Sequence, residues 1–387
     1  MKEIYLDNNA TTRVDDAVFE EMCPYLREFY GNPSSMHFFG GQVQKKVDEA
    51  RDRVAALIGA DPSEIIFTAC GTESDNTAIR SALEVFPERR HIITTRVEHP
   101  AVLTVCRGLT MKGRRVTELG VDGAGRLDLE ELKKALDDDT AIVSVMWANN
   151  ETGVVFPIEE IGAIVKERGA LFHTDAVQAV GKIPLNMASS TVDMLSLSGH
   201  KLHAPKGIGI LYLRKGTPFR PFLVGGHQER SRRAGTENTA AIIALGKACQ
   251  VAGDWMADEN TRVLGMRDRL EKELLTRIPH ARINGGAAER LPNTLSIAFE
   301  FVEGEAILLL LSEKGICASS GSACTSGSLE PSHVLRAMGV PFTCAHGSIR
   351  FSLSRFTTDA EIDAVIRELP PIINRLREIS PFGRELL

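Results

Sequence analysis

The chain has 387 residues, a formal net charge of -6 at pH 7, and 43% hydrophobic against 25% charged residues. This balance is ordinary for a soluble globular protein, and the length suits about two domains. The acidic balance gives no basic stripe for nucleic acid, and the longest apolar run, 306–311, is far too short to cross a bilayer. The polar, charged start lacks the apolar stretch of a signal peptide, and seven scattered cysteines favour reduced thiols over a disulfide framework. We therefore expect a cytoplasmic protein that binds neither nucleic acid nor membrane.

Short apolar strands alternate with helices along the first half of the chain. A strand near 4–6 is followed by helical patterns over 15–30 and 40–58, and the second pattern ends at Gly59. Further strands are predicted within 64–68, 91–95, 116–119, 141–153, 170–178, 192–197 and 208–213, with helices within 70–83, 128–139 and 157–168. This alternation specifies a mostly parallel sheet with helices on both faces. Polar clusters follow several of the strands, which predicts one shared site at the carboxyl edge of the sheet.

The pattern changes after a glycine- and arginine-rich loop at 225–238 and a long predicted helix over roughly 239–278. Beyond them we expect strands at 294–299, near 316 and at 348–353, helices at 305–314 and 331–338, and a final helix that opens with the capping box Thr358–Glu361. These elements predict a second, smaller α+β domain. We expect residues 1–15 to join the small domain, 16–255 to form the large domain and 256–387 to form the small one.

A lysine lies between the two strands of the stretch 192–213. The polar sequence Ser198-Gly199-His200-Lys201 separates them, and the glycines and proline that follow forbid a helix. A lysine on such a turn is fixed where strands end, which is where open α/β folds place ligands. An enzyme that forms a Schiff base needs a desolvated, fixed amine aimed at a carbonyl carbon. The alternative for Lys201 is a turn lysine that faces solvent.

Two other strand ends carry candidate residues for the same site. Gly71 and Thr72 stand between a strand and a helix N-terminus, where backbone N–H groups and the helix dipole favour an anion. The alternative is that Thr72, together with Asp75, caps the helix without any ligand. Asp175 ends an apolar strand, where a buried carboxylate needs a cationic partner such as a protonated pyridine nitrogen. The alternative for Asp175 is a cap for the segment that follows.

A histidine, an arginine and a cysteine complete the candidates. His99 is held on a turn before a proline and can cover a flat cofactor or move protons, although a structural turn histidine is the alternative. Arg350 can bind a carboxylate through two N–H groups, but an edge-strand arginine paired to a protein acid is equally compatible with the sequence. Cys324 lies in 318–328, eleven residues without a bulky side chain. We expect this segment to be a mobile loop that carries a nucleophilic thiolate, with an accidental surface thiol as the alternative.

The order of these motifs is more specific than any of them alone. A strand with His-x-Asp-Ala-x-Gln is followed by Ser-x-His-Lys-x-x-x-Pro-Lys-Gly-x-Gly, then by Arg-x-Gly-Thr-Glu-Asn, then by the small-residue loop around one cysteine. This order resembles the pyridoxal-phosphate cysteine desulfurases, which belong to the class V aminotransferases of fold type I. The likeness runs from 6–12 to 348–358, and the loop at 319–339 is similar to the long-loop, nitrogen-fixation type.

The resemblance implies an α/β fold whose large domain has a mostly parallel seven-stranded sheet flanked by helices, with a smaller α+β domain. It implies pyridoxal 5'-phosphate as cofactor, L-cysteine as substrate, and L-alanine and a persulfide on Cys324 as products. The sulfur would pass to an iron–sulfur scaffold or another acceptor protein, for nitrogenase maturation in the nitrogen-fixation type. A homodimer is also implied.

The resemblance also assigns a role to each candidate residue. Lys201 would hold the cofactor covalently and act as the catalytic base, His99 would stack on the ring, and Cys324 would receive the sulfur. Asp175 would lie at the pyridine nitrogen and Gln178 at the ring hydroxyl. The phosphate would be bound by Gly71, Thr72, Ser198 and His200, with Gly199 in the same cofactor-binding set, and Thr236 would reach the phosphate of the other subunit. Asn150 and Arg350 would bind the substrate carboxylate.

Three other functions remain open at the level of sequence. A class V aminotransferase would need no loop thiol, so Cys324 argues against it, and a selenocysteine lyase would ignore cysteine. A non-catalytic sulfur carrier would have no need to retain Lys201, Asp175 and His99 together with that thiol. No Cys-x-x-Cys pair is present, so a closed zinc site is not expected, and a metal cluster shared with a partner through Cys324 stays an open alternative.

Overall fold

A seven-stranded sheet organises the larger part of the molecule in the computed structural model, which describes residues 3–320 and 331–380. The strands of the described chain are β1 (Ile4–Tyr5), β2 (Ile65–Thr68), β3 (His91–Thr95), β4 (Arg115–Leu119), β5 (Thr140–Ser144), β6 (Leu171–Asp175), β7 (Met194–Ser198), β8 (Gly209–Leu213), β9 (Ala281–Ile283), β10 (Thr294–Phe299), β11 (Ile316–Cys317), β12 (Ser319–Ser320) and β13 (Ser348–Ser352). The order across the large sheet is β2-β8-β7-β6-β5-β3-β4. Strand β8 runs antiparallel to both neighbours and the other pairs are parallel, so the predicted mostly parallel α/β sheet is confirmed.

Helices cover both faces of this sheet. The α-helices of the described chain are α1 (Asp16–Met22), α2 (Pro24–Arg27), α3 (Phe38–Ile58), α4 (Gly71–Val85), α5 (Pro100–Thr110), α6 (Leu129–Ala135), α7 (Ile158–Glu167), α8 (Thr239–Asp258), α9 (Leu264–Arg277), α10 (Gly304–Glu313), α11 (His333–Ala337), α12 (Phe342–Ala345) and α13 (Asp359–Ile379). Successive strand residues point to opposite faces. Ile92 therefore joins the buried cluster under α4 and α5, whereas Ile93 joins the cluster under α3, α7 and α8.

A second, antiparallel sheet has the order β12-β13-β10-β9 and packs against α9, α10 and α13 around its own buried cluster. The predicted capping box of α13 is confirmed, because Thr358 and Glu361 each accept a backbone N–H of the other. Strand β1 pairs in parallel with β11, so the start of the chain lies beside the second sheet. The limits that we place after residues 15 and 255 stay a prediction.

Four local expectations need correction. The helical pattern at 15–30 is divided into α1 and α2, because Pro24 lacks an N–H group and begins a new helix. The long helix at 239–278 is interrupted by a π-helical turn, Glu259–Val263, between α8 and α9. The turn after β7 contains one 3₁₀ turn, Gly199–Lys201, where we expected no helix. In the segment 318–328, Ser319–Ser320 form β12 and pair with β13, so these two residues belong to a strand and not to a loop, and residues 321–328 lie outside the described ranges.

None of the helices in the described parts of the chain has the length and hydrophobicity needed to span a bilayer.

Candidate active site

A cavity of about 610 Å³ opens at the carboxyl edge of the large sheet. Strands β2, β3, β5, β6 and β7 all end at this edge, and the segments that follow them form the walls. The sequence-predicted residues that line the cavity are Gly71, Thr72, His99, Asn150, Asp175, Gln178, Ser198, His200, Lys201 and Arg350. Gly199 and Thr236 are not among the lining residues, and Cys324 lies outside the described residues.

Lys201 projects into this cavity from the short turn after β7. Close packing fixes the turn, because a Cβ on Gly199 would lie 2.8 Å from Cγ2 of Ile208. The Lys201 Nζ donates hydrogen bonds to the carbonyl oxygens of Asn9 at 2.5 Å and Ala10 at 2.6 Å. Burial, together with the nearby Arg350, lowers the pKa of Lys201 to about 7. A lysine that faces solvent is therefore the wrong description, and a large share of this amine is neutral near pH 7.

Asp175 and Gln178 form the wall beside Lys201. Asp175 is the last residue of β6, is 7% exposed, and accepts the N–H of Val177 through Oδ1 at 2.9 Å. It thus caps the following turn, as the alternative interpretation held, and also faces the cavity. Burial raises the pKa of Asp175, and His99 and Lys201 oppose that rise. A cation in the cavity would keep this carboxyl ionised.

His99 combines a structural position with a place in the cavity wall. It is the N-cap of α5, and its Nδ1 accepts the N–H of Ala101 at 3.1 Å. Burial lowers the pKa of His99, which favours the neutral ring. Because Nδ1 acts as an acceptor, the hydrogen of the neutral ring is on Nε2. The cap holds the ring in one orientation at the wall of the cavity.

The N-terminus of α4 closes one end of the cavity. Its N-cap is Cys70, which makes no side-chain capping hydrogen bond, and Thr72 lies inside the helix. The alternative in which Thr72 caps the helix is therefore wrong. A Cβ on Gly71 would lie 2.9 Å from Cγ2 of Val177 and 3.5 Å from Cβ of Ser198. Only glycine lets the backbone approach this closely, which leaves the helix N-terminus open to an anion.

Arg350 also lies in the wall of the cavity. It lies on β13, an interior strand of the second sheet and not an edge strand, and it is 3% exposed. Its Nη1 donates to the carbonyl oxygen of Asn150 at 2.9 Å and its Nη2 to Oδ1 of Asp7 at 2.8 Å. The expected pairing with a protein acid thus occurs, on an interior strand. The buried Nε has no hydrogen-bond partner among the described residues, so it is a donor left for a ligand.

These groups fit pyridoxal 5'-phosphate. The cofactor needs an anion site, a carboxylate for its ring nitrogen and an amine for its aldehyde. The open N-terminus of α4, the buried Asp175 and the amine of Lys201 supply these three groups on three walls of one cavity. The orphaned Nε of Arg350 adds a donor for a substrate carboxylate.

The chain matches the aminotransferase class-V family over residues 4–365. It is 64% identical over 385 residues to a cysteine desulfurase of Trichormus azollae, and the matched region covers 100% of this chain and 96% of that protein. The chain belongs to the class V aminotransferase family, among its cysteine desulfurases. It is also 61% identical to the cysteine desulfurase NifS of Azotobacter vinelandii, over 99% of this chain and 95% of that one. A solved structure of a NifS-like protein superposes with a TM-score of 0.91 at 42% identity, over 97% of this chain and all of that one.

Several residues of this desulfurase cavity carry no signal that we could use from sequence. Asp7 and Asn9 reach Arg350 and Lys201 from the N-terminal segment, although the polar cluster after residue 6 predicts only a turn. Glu151 is buried in the wall, accepts the hydroxyl of Ser332, and has its pKa raised to about 7 by burial. Its position directly after Asn150 in a polar cluster is the one hint that the sequence offers.

Of the two remaining predicted features, the structure places only Thr236. Thr236 lines a second cavity of about 140 Å³ together with Thr68 and Arg233, so it does not reach the amine of Lys201 within one chain. In residues 3–320 and 331–380, no group of three or more His, Cys, Asp or Glu side chains could hold a metal ion. The metal alternative through Cys324 falls outside the described residues.

Proposed function

We propose that this chain removes the sulfur of L-cysteine with pyridoxal 5'-phosphate as cofactor, releases L-alanine and holds the sulfur as a persulfide on Cys324. The main support is the convergence of Lys201, Asp175 and the open end of α4 in one cavity, although they are far apart in sequence. The cysteine desulfurases among the relatives support cysteine as the substrate.

Each wall of the cavity has a role in this proposal. Bound pyridoxal phosphate supplies a conjugated ring that accepts the electron pair of the Cα–H bond. Lys201 would bind the aldehyde carbon of the cofactor, and its Nζ would take the Cα proton of the substrate, which a pKa of about 7 suits. Asp175 would accept from the pyridine nitrogen, Gln178 would contact the ring hydroxyl, and His99 would stack on the ring.

The two ends of the cavity bind the two anionic groups. The N–H groups at Gly71 and Thr72, with Ser198 and His200, hold the phosphate, and Gly199 allows the turn that presents the last two. Asn150 and Arg350 hold the substrate carboxylate, for which the unpartnered Nε of Arg350 is available. Cysteine is thereby held with its carboxylate on the side of the second sheet.

The atoms of the substrate are accounted for in the two products. The C–S bond of cysteine breaks, the sulfur forms an S–S bond with the thiolate of Cys324, and the proton that the Cys324 thiol lost on becoming a thiolate ends in the new C–H bond of alanine. The acceptor of this sulfur is proposed to be an iron–sulfur scaffold, in the service of nitrogenase maturation, as the likeness to NifS supports. Thr236 would contact the phosphate in the partner of a homodimer. The six described cysteines are free, which suits a reducing cytoplasm.

Two variants test the assigned chemistry. Lys201→Ala should lose the yellow colour that pyridoxal phosphate acquires on binding a lysine. Cys324→Ala should keep that colour but release no sulfide from cysteine, with Cys317→Ala as a matched control that retains activity. Full sulfide release by Cys324→Ala would contradict the role of that thiol.

Substrate assays separate the related activities. Alanine and persulfide formation from L-cysteine, without any keto acid, is expected from a desulfurase. A strict need for a keto acid would indicate an aminotransferase, and activity with selenocysteine alone would indicate a selenocysteine lyase.

A further inference from the structure

A second buried lysine lies behind the proposed cofactor site. Lys182 is 7% exposed and follows the turn that carries Gln178. Its Nζ lies 3.1 Å from the carbonyl oxygen of Gln178 and 3.4 Å from Oε1 of the same residue. Burying an ammonium is costly, so a lysine in this position needs an explanation. None of the steps proposed above uses it.

Hydrogen bonds connect Lys182 to Lys201. The amide of Gln178 accepts from Lys182 through Oε1 and donates through Nε2 to the carbonyl oxygen of Asn9 at 3.0 Å. The same carbonyl oxygen accepts from Nζ of Lys201 at 2.5 Å. Because an ammonium group only donates, Lys182 determines which end of the Gln178 amide is the oxygen. The NH₂ end is thereby turned toward Asn9 and the cavity.

The π-helical turn between α8 and α9 contacts the backbone of Lys182. The Nδ2 of Asn260 donates to the carbonyl oxygen of Lys182 at 2.9 Å. Burial lowers the pKa of Lys182 to about 8, and the charge of the buried Glu259 opposes that shift. Lys182 therefore remains mostly charged at neutral pH. A π-turn inserts one residue into a helix and is frequent at functional sites.

We propose that Lys182 is a positioning residue of the desulfurase site, which orients the amide of Gln178 and, as a buried cation, disfavours a second positive charge on Lys201. This inference rests on the proposed role of Lys201 as the cofactor-binding amine. The reactive amine must be neutral to attack a carbonyl carbon, so a fixed cation behind it increases the reactive fraction near pH 7.

The charges around Lys201 come from several elements. Arg350 on β13 and Lys182 after β6 both favour the neutral amine, whereas Asp7 and Asp175 favour the ammonium. The rings of His99 and His200 also face it, and burial lowers the pKa of both. Lys182 is the cation of this set that makes no direct contact with the proposed substrate position, so it can be changed without removing a substrate ligand.

Trace acetylation of the full-length apoenzyme tests the proposal. Acetic anhydride reacts only with neutral amines, and mass spectrometry of the Lys201 peptide gives its rate from pH 5 to pH 10. Lys182→Met should lower the rate at pH 7 by roughly fivefold, the loss that a rise of about one unit in the pKa of Lys201 gives, while the plateau at high pH stays the same. Lys182→Arg, which keeps the charge, should stay near the wild-type profile. Lys206 is an exposed lysine on the loop after Lys201, and Lys206→Met is the matched control. This control should leave the Lys201 profile unchanged.

A second variant separates electrostatics from folding. Lys182→Met removes one of the three cations that favour the ionised carboxyl of the buried Glu259, the others being Arg355 and Arg262. The double variant with Glu259→Gln removes the carboxylate as well, so no charge is left without Lys182. The midpoint of the Lys201 profile should rise in the double variant as well. An unchanged midpoint in both variants, or a lower plateau with the same midpoint, would overturn the proposal. The experiment does not use the cofactor, so its outcome is independent of whether Lys201→Ala loses the yellow colour.

Discussion

A buried ion pair between Arg51 of α3 and Glu229 anchors the loop at 225–238. Two hydrogen bonds of 2.8 Å join the guanidinium to the two carboxylate oxygens, and the side chains are 7% and 2% exposed. Arg51 also donates to the carbonyl oxygen of Ile65 at 2.8 Å, and Glu229 accepts the N–H of Phe67 at 3.1 Å. The pair thus ties the loop to the first strand of the sheet.

The backbone of this loop is strained where the pair holds it. Glu229, Arg230 and Ser231 have φ values of 47°, 58° and 63°, in the left-handed region that favours glycine. Each such residue costs on the order of 1 kcal/mol or more. The loop keeps this conformation only while the buried pair and its backbone contacts hold it. The same loop presents Thr236, so the pair also matters for the proposed contact with the partner's phosphate.

Arg51→Met should therefore lower the free energy of unfolding substantially. The carboxylate of Glu229 stays buried and keeps the N–H of Phe67 as a donor, but it loses the guanidinium that pairs with it. Removing one partner of a buried ion pair costs about 3–5 kcal/mol. Relaxation of the strained loop recovers part of this energy, so we expect the lower end, about 3 kcal/mol.

Arg53→Met is the matched control, two residues along the same helix. Arg53 pairs with Glu21 at 2.6 Å, but the side chains are 30% and 24% exposed, so its loss should cost about 1 kcal/mol or less. Urea unfolding followed by tryptophan fluorescence, at one fixed concentration of pyridoxal phosphate, measures both variants. Equal losses for the two variants, or a loss below about 1 kcal/mol for Arg51→Met, would refute the reasoning.

Three further predictions concern the cavity. Gly71→Ala should weaken pyridoxal phosphate binding by roughly tenfold or more, because the new Cβ would lie 2.9 Å from a methyl of Val177. An absorbance titration measures the affinity, and an unchanged affinity would contradict the close approach of the backbone. Arg350→Lys should raise KM for L-cysteine by about tenfold with a smaller effect on kcat, because an ammonium cannot reproduce the guanidinium fork, and steady-state kinetics would show it. Burial raises the pKa of Glu98 from 4.5 to about 8, so its contribution to stability is present below pH 4.5 and is lost as the pH rises through 8. Glu98→Gln should therefore gain Tm relative to wild type between pH 6 and pH 9, and a constant difference would argue against a protonated Glu98.

The large sheet and most helices could be predicted because their signals are local. Apolar runs of about five residues mark buried strands, and Gly59 ends α3 in a left-handed conformation with φ 63°, as a glycine stop signal predicts. The π-turn at 259–263 could not be predicted in the same way. Within this turn Asn260 donates to the carbonyl oxygen of Lys182, a contact between residues far apart in sequence.

In the candidate site, too, the residues with a local sequence signal could be predicted and those placed by long-range contacts could not. Lys201 and Asp175 could be predicted because each stands at the end of an apolar strand, where chain position alone indicates the sheet edge. Asn9 could not, since it contacts Lys201 through its backbone carbonyl, which every residue has. The pairing of Asp7 with Arg350 depends on how the N-terminal segment crosses to the cavity, and no periodicity in the sequence encodes that path.

The structural and functional interpretations of the polar strand ends turn out to be compatible. His99 caps α5 and Asp175 caps the turn after β6, and both also face the cavity. A backbone N–H that fixes a side chain removes rotamers which a ligand would otherwise have to restrict, so a capping residue is already oriented for binding. The N-terminus of α4 differs, because the side chain of its N-cap, Cys70, makes no capping hydrogen bond. That helix end leaves its backbone donors available, and it is the end that faces the proposed phosphate.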